Sequence, residues 1–139
     1  HHLKIDTSGT CLERFVWKGD ELAGLVGTLD SGKRVATQGL TPSGFISYGP
    51  YIELPKGKYR VELSISGAGS DLGYTDIIGV DASDEAVTLA KKTITAGDDV
   101  KIQTVLDVDD SFIRNLEVRT WYQSGNLSIQ SLSIERLAN

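Results

Sequence analysis

From Tyr59 to Ser66 the chain alternates Tyr59, Val61, Leu63 and Ile65 with Arg60, Glu62, Ser64 and Ser66. A period of two puts the first set on one face of an extended strand and the second on the other, so the segment reads as a strand with one buried and one wet face. Just upstream, Pro55-Lys56-Gly57-Lys58 carries turn chemistry, because Pro fixes φ at its start and Gly tolerates positive φ near its end. The expectation is two strands, 44–54 and 58–66, joined by a tight turn.

The same alternation and turn signals recur along the chain and predict further strands at 12–18, 33–38, 73–82, 86–94, 99–108, 112–122 and 126–137. Turn-rich pieces separate them: Lys18-Gly19-Asp20, Asp30-Ser31-Gly32-Lys33, Gly67-Ala68-Gly69-Ser70-Asp71, Ala96-Gly97-Asp98-Asp99 and Gln123-Ser124-Gly125-Asn126. Ser83-Asp84-Glu85 could open a short helix, whereas Val87, Thr88, Thr93 and Ile94 favour a strand. The Gly-rich patch from Glu21 to Thr28 reads as a loop with a short edge strand. Eight or nine short strands without intervening helices point to an all-β fold, an antiparallel β-sandwich or jelly roll. At 139 residues the chain suits one domain able to bury a core without disulfides or metals. Residues 3–139 are read as that domain, and His1 and His2 as the remnant of an affinity tag.

Composition excludes several functions. A net charge of -5 disfavours a nucleic-acid partner, whose phosphates call for clustered Lys and Arg. No apolar run approaches the ~20 residues that span a bilayer as a helix. The single cysteine, Cys11, cannot form an internal disulfide. With no histidine beyond His2, no imidazole is available to activate a nucleophile. Glu53 with Glu62, or Glu117 with Glu135, would serve a glycosidase only if brought to within ~5–10 Å across one cleft, which spacing along the chain does not supply. The expectation is therefore a protein that is not an enzyme.

The sharpest binding signal lies on strand 112–122. Leu116, Val118, Thr120 and Tyr122 share one face, and Glu117, Arg119 and Trp121 share the other. A tryptophan on a wet face can stack on the apolar C–H face of a sugar, while Arg and Glu bond its hydroxyls. Otherwise Trp121 packs beneath a loop, and Glu117 and Arg119 form a solvated pair. Tyr48 and Tyr51 flank Gly49-Pro50, where a bulge or bend is expected because Pro cannot donate to the ladder. Alternation from Ile52 and Leu54 turns Tyr51 outward, whereas Tyr48 depends on the bulge. These two rings either extend the binding face or cover the sandwich edge. Phe15 beside Trp17 assigns Trp17 to the core. Tyr74, alternating with Asp76, Ile78 and Val80, is likewise assigned to burial.

Two oxygen-rich turns, Asp107-Val108-Asp109-Asp110 and Asp81-Ala82-Ser83-Asp84-Glu85, could hold calcium with help from carbonyls, yet neither matches the EF-hand pattern. They read as solvated acidic turns, and no cofactor is expected. Gly67-Ala68-Gly69-Ser70 lacks the Lys-Ser/Thr ending of a phosphate loop.

Gly49-Pro50-Tyr51, Leu54-Pro55-x-Gly57-x-Tyr59-Arg60-Val61-Glu62-Leu63, Leu116-Glu117-Val118-Arg119 and the strand from Leu127-Ser128-Ile129 to Ile134 resemble carbohydrate-binding-module-like jelly rolls of the galactose-binding type. The resemblance covers about residues 44–137. It implies a non-catalytic module for a glycan or polysaccharide, tethered to a glycoside hydrolase or to a glycosyltransferase of bacterial polysaccharide synthesis. It also implies an extracellular or cell-envelope setting, and a structural calcium as the one metal such modules often carry. Trp121, Arg119, Glu117, Tyr48 and Tyr51 are the ligand-binding residues expected. The alternative is a structural or protein-interaction β-sandwich without a sugar site.

Overall fold

A computed structural model of the chain describes residues 2–5 and 13–138. Its strands are β1 (His2–Ile5), β2 (Glu13–Lys18), β3 (Thr28–Asp30), β4 (Lys33–Ala36), β5 (Gly44–Ser47), β6 (Pro50–Ala68), β7 (Gly73–Asp81), β8 (Ala86–Thr93), β9 (Gly97–Tyr122) and β10 (Asn126–Arg136). All pairings are antiparallel. A single 3-10 turn, Gly19–Glu21, is the only helical element among the described residues.

Two long strands organise the fold. β6 and β9 pair along almost their whole length, from Gly67 opposite Gly97 to Pro50 opposite Glu117. Bulges between Pro50 and Ile52, Ile52 and Leu54, and Pro55 and Gly57 bend this ribbon, as extra unpaired residues do. One half of the ribbon, residues 59–68 of β6 and 97–108 of β9, extends a layer formed with β10, β2 and β1. The other half, residues 50–54 of β6 and 113–122 of β9, belongs to a second layer with β5, β7 and β8. β4 pairs with the start of β10 and carries β3 in a hairpin across Ser31 and Gly32. The result is an antiparallel β-sandwich.

Alternation builds the core. Val61, Leu63 and Ile65 face inward beside Leu132 and Ile134 of β10, and all five are at most 2% exposed. Thr75, Ile77 and Val118 close over them from the second layer, and a void of about 10 Å³ lies between Val61, Leu63, Ile102 and those three side chains. Each fully buried Leu or Ile contributes roughly 1.5–3 kcal/mol relative to exposure. Trp17 belongs to this core at 5% exposure. Arg60, Glu62, Gln103 and Glu135 take the outer face of the first layer, where Arg60 pairs with Glu135 at 3.1 Å and Gln103 bonds Glu62.

Two expectations change. Residues 55–58 form no chain reversal: the strand runs through them, and the Pro and Gly serve a bulge that carries β6 between layers. The segments 99–108 and 112–122 are likewise one strand, bent where the ribbon crosses. Residues 86–93 form the strand expected at 86–94 and not the alternative helix, since Ala90, Val87 and Ala86 pair with β7. Cys11 and His1 lie outside the described residues.

Candidate functional site

The outer face of the second layer collects the aromatic and ionic side chains. Along β9, Leu116, Val118, Thr120 and Tyr122 are buried, which leaves Glu117, Arg119 and Trp121 half-buried on the opposite side. Trp121 sits in register with Phe45 of β5 on one side and Tyr74 of β7 on the other. The three rings therefore form a row across three strands. Phe45 meets Trp121 edge to face at 5.0 Å between centroids, and Tyr74 lies nearly parallel to it, 13° apart in plane at 6.5 Å. The Trp121 indole Nε1 donates to Gln123 Oε1 at 3.1 Å.

An ionic row follows, two residues along the strands. Arg119 is in register with Asp76, which is in register with Lys91 of β8. Arg119 donates through Nε to Asp76 Oδ1 at 2.9 Å and through Nη2 to Oδ2 at 2.8 Å. Both cations lean back over the rings: the Arg119 guanidinium carbon lies 4.9 Å from the Phe45 centroid and Lys91 Nζ 4.3 Å from that of Tyr74. The hydrogen bonds that Arg119 donates to Asp76 outweigh partial desolvation and hold the guanidinium pKa above its ordinary value. The planar fork is thus fixed in place and permanently charged.

Beyond this row stands Glu117, beside the Tyr51 phenol. Tyr51 follows the cis Gly49-Pro50 bond, has φ of 63° and is 54% exposed. Positive φ is uncommon for a bulky residue and holds its ring out from the sheet. Its ring packs edge to face on Tyr48 at 6.3 Å. Partial burial and then the nearby Glu117 carboxylate push the Tyr51 phenol above its ordinary range. Past Tyr51 and Glu117 a groove of about 450 Å³ continues between Asn115 and Thr88.

The structure thus brings Trp121, Arg119, Glu117, Tyr51 and Tyr48 onto one surface. It adds Phe45, Asp76 and Lys91, which the sequence reading did not single out, and Tyr74, which that reading assigned to burial. Tyr74 is not core: Thr75 and Ile77 are the inward residues of β7, and Tyr74 and Asp76 point to the outer face, where Asp76 is covered by Arg119. Matching the outward set of β9 to its neighbours by alternation would have found them.

The two carboxylate pairs considered from the sequence, Glu53 with Glu62 and Glu117 with Glu135, do not share a cleft. Glu117 faces out from the second layer while Glu135 pairs with Arg60 on the outer face of the first, and Glu62 accepts from Gln103 there, apart from exposed Glu53. Among the described residues no three His, Cys, Asp or Glu side chains gather as metal ligands. The Asp81 carboxylate accepts from the Ser83 and Glu85 N–H groups at 2.9 and 3.0 Å, which organises that turn. Chemically, the face offers stacking surface, a fixed guanidinium and a carboxylate.

The sandwich is that of carbohydrate-binding modules. The C-terminal family 6 module of a marine laminarinase from Zobellia galactanivorans superposes with a TM-score of 0.56 at 14% identity, over 87% of this chain and 98% of that one. A family 22 module joined to a family 10 catalytic module, in the Clostridium thermocellum xylanase 10B complexed with xylohexaose, gives 0.52 at 12% identity, covering 91% of this chain and 25% of that one. The assembly of accessory secretory proteins 1, 2 and 3 from Streptococcus pneumoniae also contains this fold, at 0.52 and 16% identity over 83% of this chain and 86% of that one. At such identities the likeness is one of fold. No family model and no curated protein matches the sequence.

Proposed function

We propose that the protein is a non-catalytic module that binds a polysaccharide across the outer face of its second layer. The observation that carries this reading is the row Phe45–Trp121–Tyr74 lying beside the Arg119–Asp76 pair and the Tyr51–Glu117 pair. A half-exposed indole stacks on a pyranose, and the flanking fork and carboxylate satisfy its hydroxyls without rearranging. Charge on this face is close to balanced, with Arg119 and Lys91 against Asp76 and Glu117, which suits an uncharged glycan.

Such a face gives modest affinity for one chain. Tethering to a catalytic domain would raise the effective concentration at the substrate enough to make weak binding useful. In this reading the module belongs to a larger glycan-processing or glycan-synthesising protein at the cell envelope or outside the cell. Its fold, shared with modules of a laminarinase and a xylanase, supports that setting. A glycan array probed with the isolated domain tests the reading, and capture of at least one polysaccharide is the expected result.

A second reading, a protein-interaction sandwich, rests on Leu25 and Leu40, on the loops flanking β3 and β4, and on Leu29 within β3, which are 71, 82 and 59% exposed. The fold shared with an accessory secretory protein keeps that reading in view. An array without a hit, together with loss of a partner on Leu25→Ser, would favour it.

A further inference from the structure

The turn of the β3–β4 hairpin, Ser31-Gly32, has positive φ at both residues, 52° and 85°. A two-residue turn of that kind makes Asp30 and Lys33 the hydrogen-bonded pair of the ladder and leaves Leu29 and Arg34 as the non-hydrogen-bonded pair behind it. Leu29 therefore turns its N–H and carbonyl away from β4, and among the described strands only β4 pairs with β3. Facing side chains in such a pair stand close, so Leu29 lies beside Arg34 on one face of the hairpin, and Asp30 and Lys33 take the other. Arg34 also packs on the loop that precedes β3. Its Nε and Cζ lie 2.6 Å from where a Cβ on Gly24 would stand, next in the chain to Leu25. Two leucines, 71 and 59% exposed, thus bracket one guanidinium. Arg60, Arg114 and Arg119 are each held by a carboxylate. Arg34 has no hydrogen-bond or ion-pair partner among the described residues: its Nε is buried and unsatisfied, and Nη1 and Nη2 reach solvent.

We infer that this face of the hairpin docks an extended acidic peptide, which adds to the open edge at Leu29, sets a carboxylate on Arg34 and covers Leu25 and Leu29 with apolar side chains. An exposed strand edge is a template for another strand: main-chain bonds hold the peptide and alternate side chains choose it. The end of the guanidinium fork matches a carboxylate in shape and charge. The chain carries nineteen Asp and Glu, yet none of those described covers this arginine. Unpaired backbone groups and apolar flanks favour a peptide over an acidic sugar, which has neither a strand backbone nor aliphatic side chains to offer. The inference deepens the second reading, on whose leucines it rests, and is independent of the aromatic face.

Panning a phage-displayed library of random linear peptides on the full chain tests this, with the enriched sequence then synthesised and titrated into ¹⁵N-labelled protein. The expected result is a family of peptides with Glu or Asp between apolar residues, which shifts the backbone amide peaks of Thr28, Leu29 and Asp30. Arg34→Gln should weaken that binding at least about tenfold, the loss of one charge-assisted bond. Leu29→Ser, an exposed substitution that leaves the guanidinium in place, should weaken it as well, and circular dichroism shows that each variant is folded. A library that yields no enriched family overturns the inference. Peptides without an acid, bound by Arg34→Gln as tightly as by the parent but lost in Leu25→Ser, overturn the acidic partner and leave the second reading standing. Oligogalacturonate that shifts the same peaks as tightly as the peptide, and no longer does so in Arg34→Gln, overturns it in favour of an acidic glycan.

Discussion

Arg119 and Asp76 form a two-pronged ion pair at 2.9 and 2.8 Å on adjacent strands, and the Asp76 side chain is only 7% exposed while that of Arg119 is 29% exposed. The pair ties β9 to β7 beneath the aromatic row and sets the guanidinium against Phe45. Removing the acid leaves a partly buried cation without its partner.

Asp76→Ala is therefore expected to cost about 2–4 kcal/mol of stability, somewhat less than a fully buried pair because Arg119 reaches solvent. Chemical denaturation measures it. A loss below about 0.5 kcal/mol would show the pair to behave as a surface contact.

Glycine substitutions should separate steric from conformational cost. A Cβ on Gly73, at φ +138°, would sit 1.8 Å from the Trp121 carbonyl oxygen, whereas one on Gly39, at φ +80°, would meet nothing within 4 Å. Gly73→Ala is expected to cost at least about 3 kcal/mol and Gly39→Ala about 1 kcal/mol. Gly57→Val, at φ +155° in the bulge, should fall between, at roughly 1–3 kcal/mol. Melting temperatures in the reverse order would contradict the register of β7 on β9.

Alkaline titration probes two phenols. Burial raises Tyr59 above its ordinary value, and partial burial with the Glu117 carboxylate nearby raises Tyr51 above the usual 10.0. The folded state thus keeps these protons where the unfolded chain has lost them. Their contribution to stability is intact below pH 10 and declines as pH rises past 10. Absorbance at 295 nm should show a late-ionising fraction that shrinks in Tyr59→Phe. Five tyrosines ionising together near pH 10 would contradict the environments described.

Much of this architecture was legible in the sequence. Strict alternation at Tyr59–Val61–Leu63–Ile65 and at Leu116–Val118–Thr120–Tyr122 identified the inward faces, because a period of two leaves no choice once one face is buried. Trp121, Arg119 and Glu117 followed as the outward set. What the sequence concealed was continuity. Pro55 and Gly57 have the dihedral preferences of a turn, but the same preferences suit a bulge, and only pairing with β9, some fifty residues away, decides between them. Tyr74 was misassigned because Ile78 and Val80 share its alternation and are apolar. Register shifts at Ile77/Ile78 and Ile78/Val80 break that periodicity, so the apolar pair does not report on Tyr74. Whether the aromatic row and the ionic row engage a glycan is a question of chemistry at the surface, not of pattern.

Binding by the Trp121→Ala variant tests the central claim most directly. Affinity electrophoresis and calorimetry against the polysaccharide found on the array, with circular dichroism and melting as controls, should show a folded β protein whose affinity falls about tenfold to hundredfold, the roughly 1–3 kcal/mol of a lost stacking surface. Arg119→Lys should weaken binding as well, since the planar fork is lost while the charge remains. A folded Trp121→Ala that binds as tightly as the parent, or a parent that binds no glycan at millimolar concentration, would contradict the account.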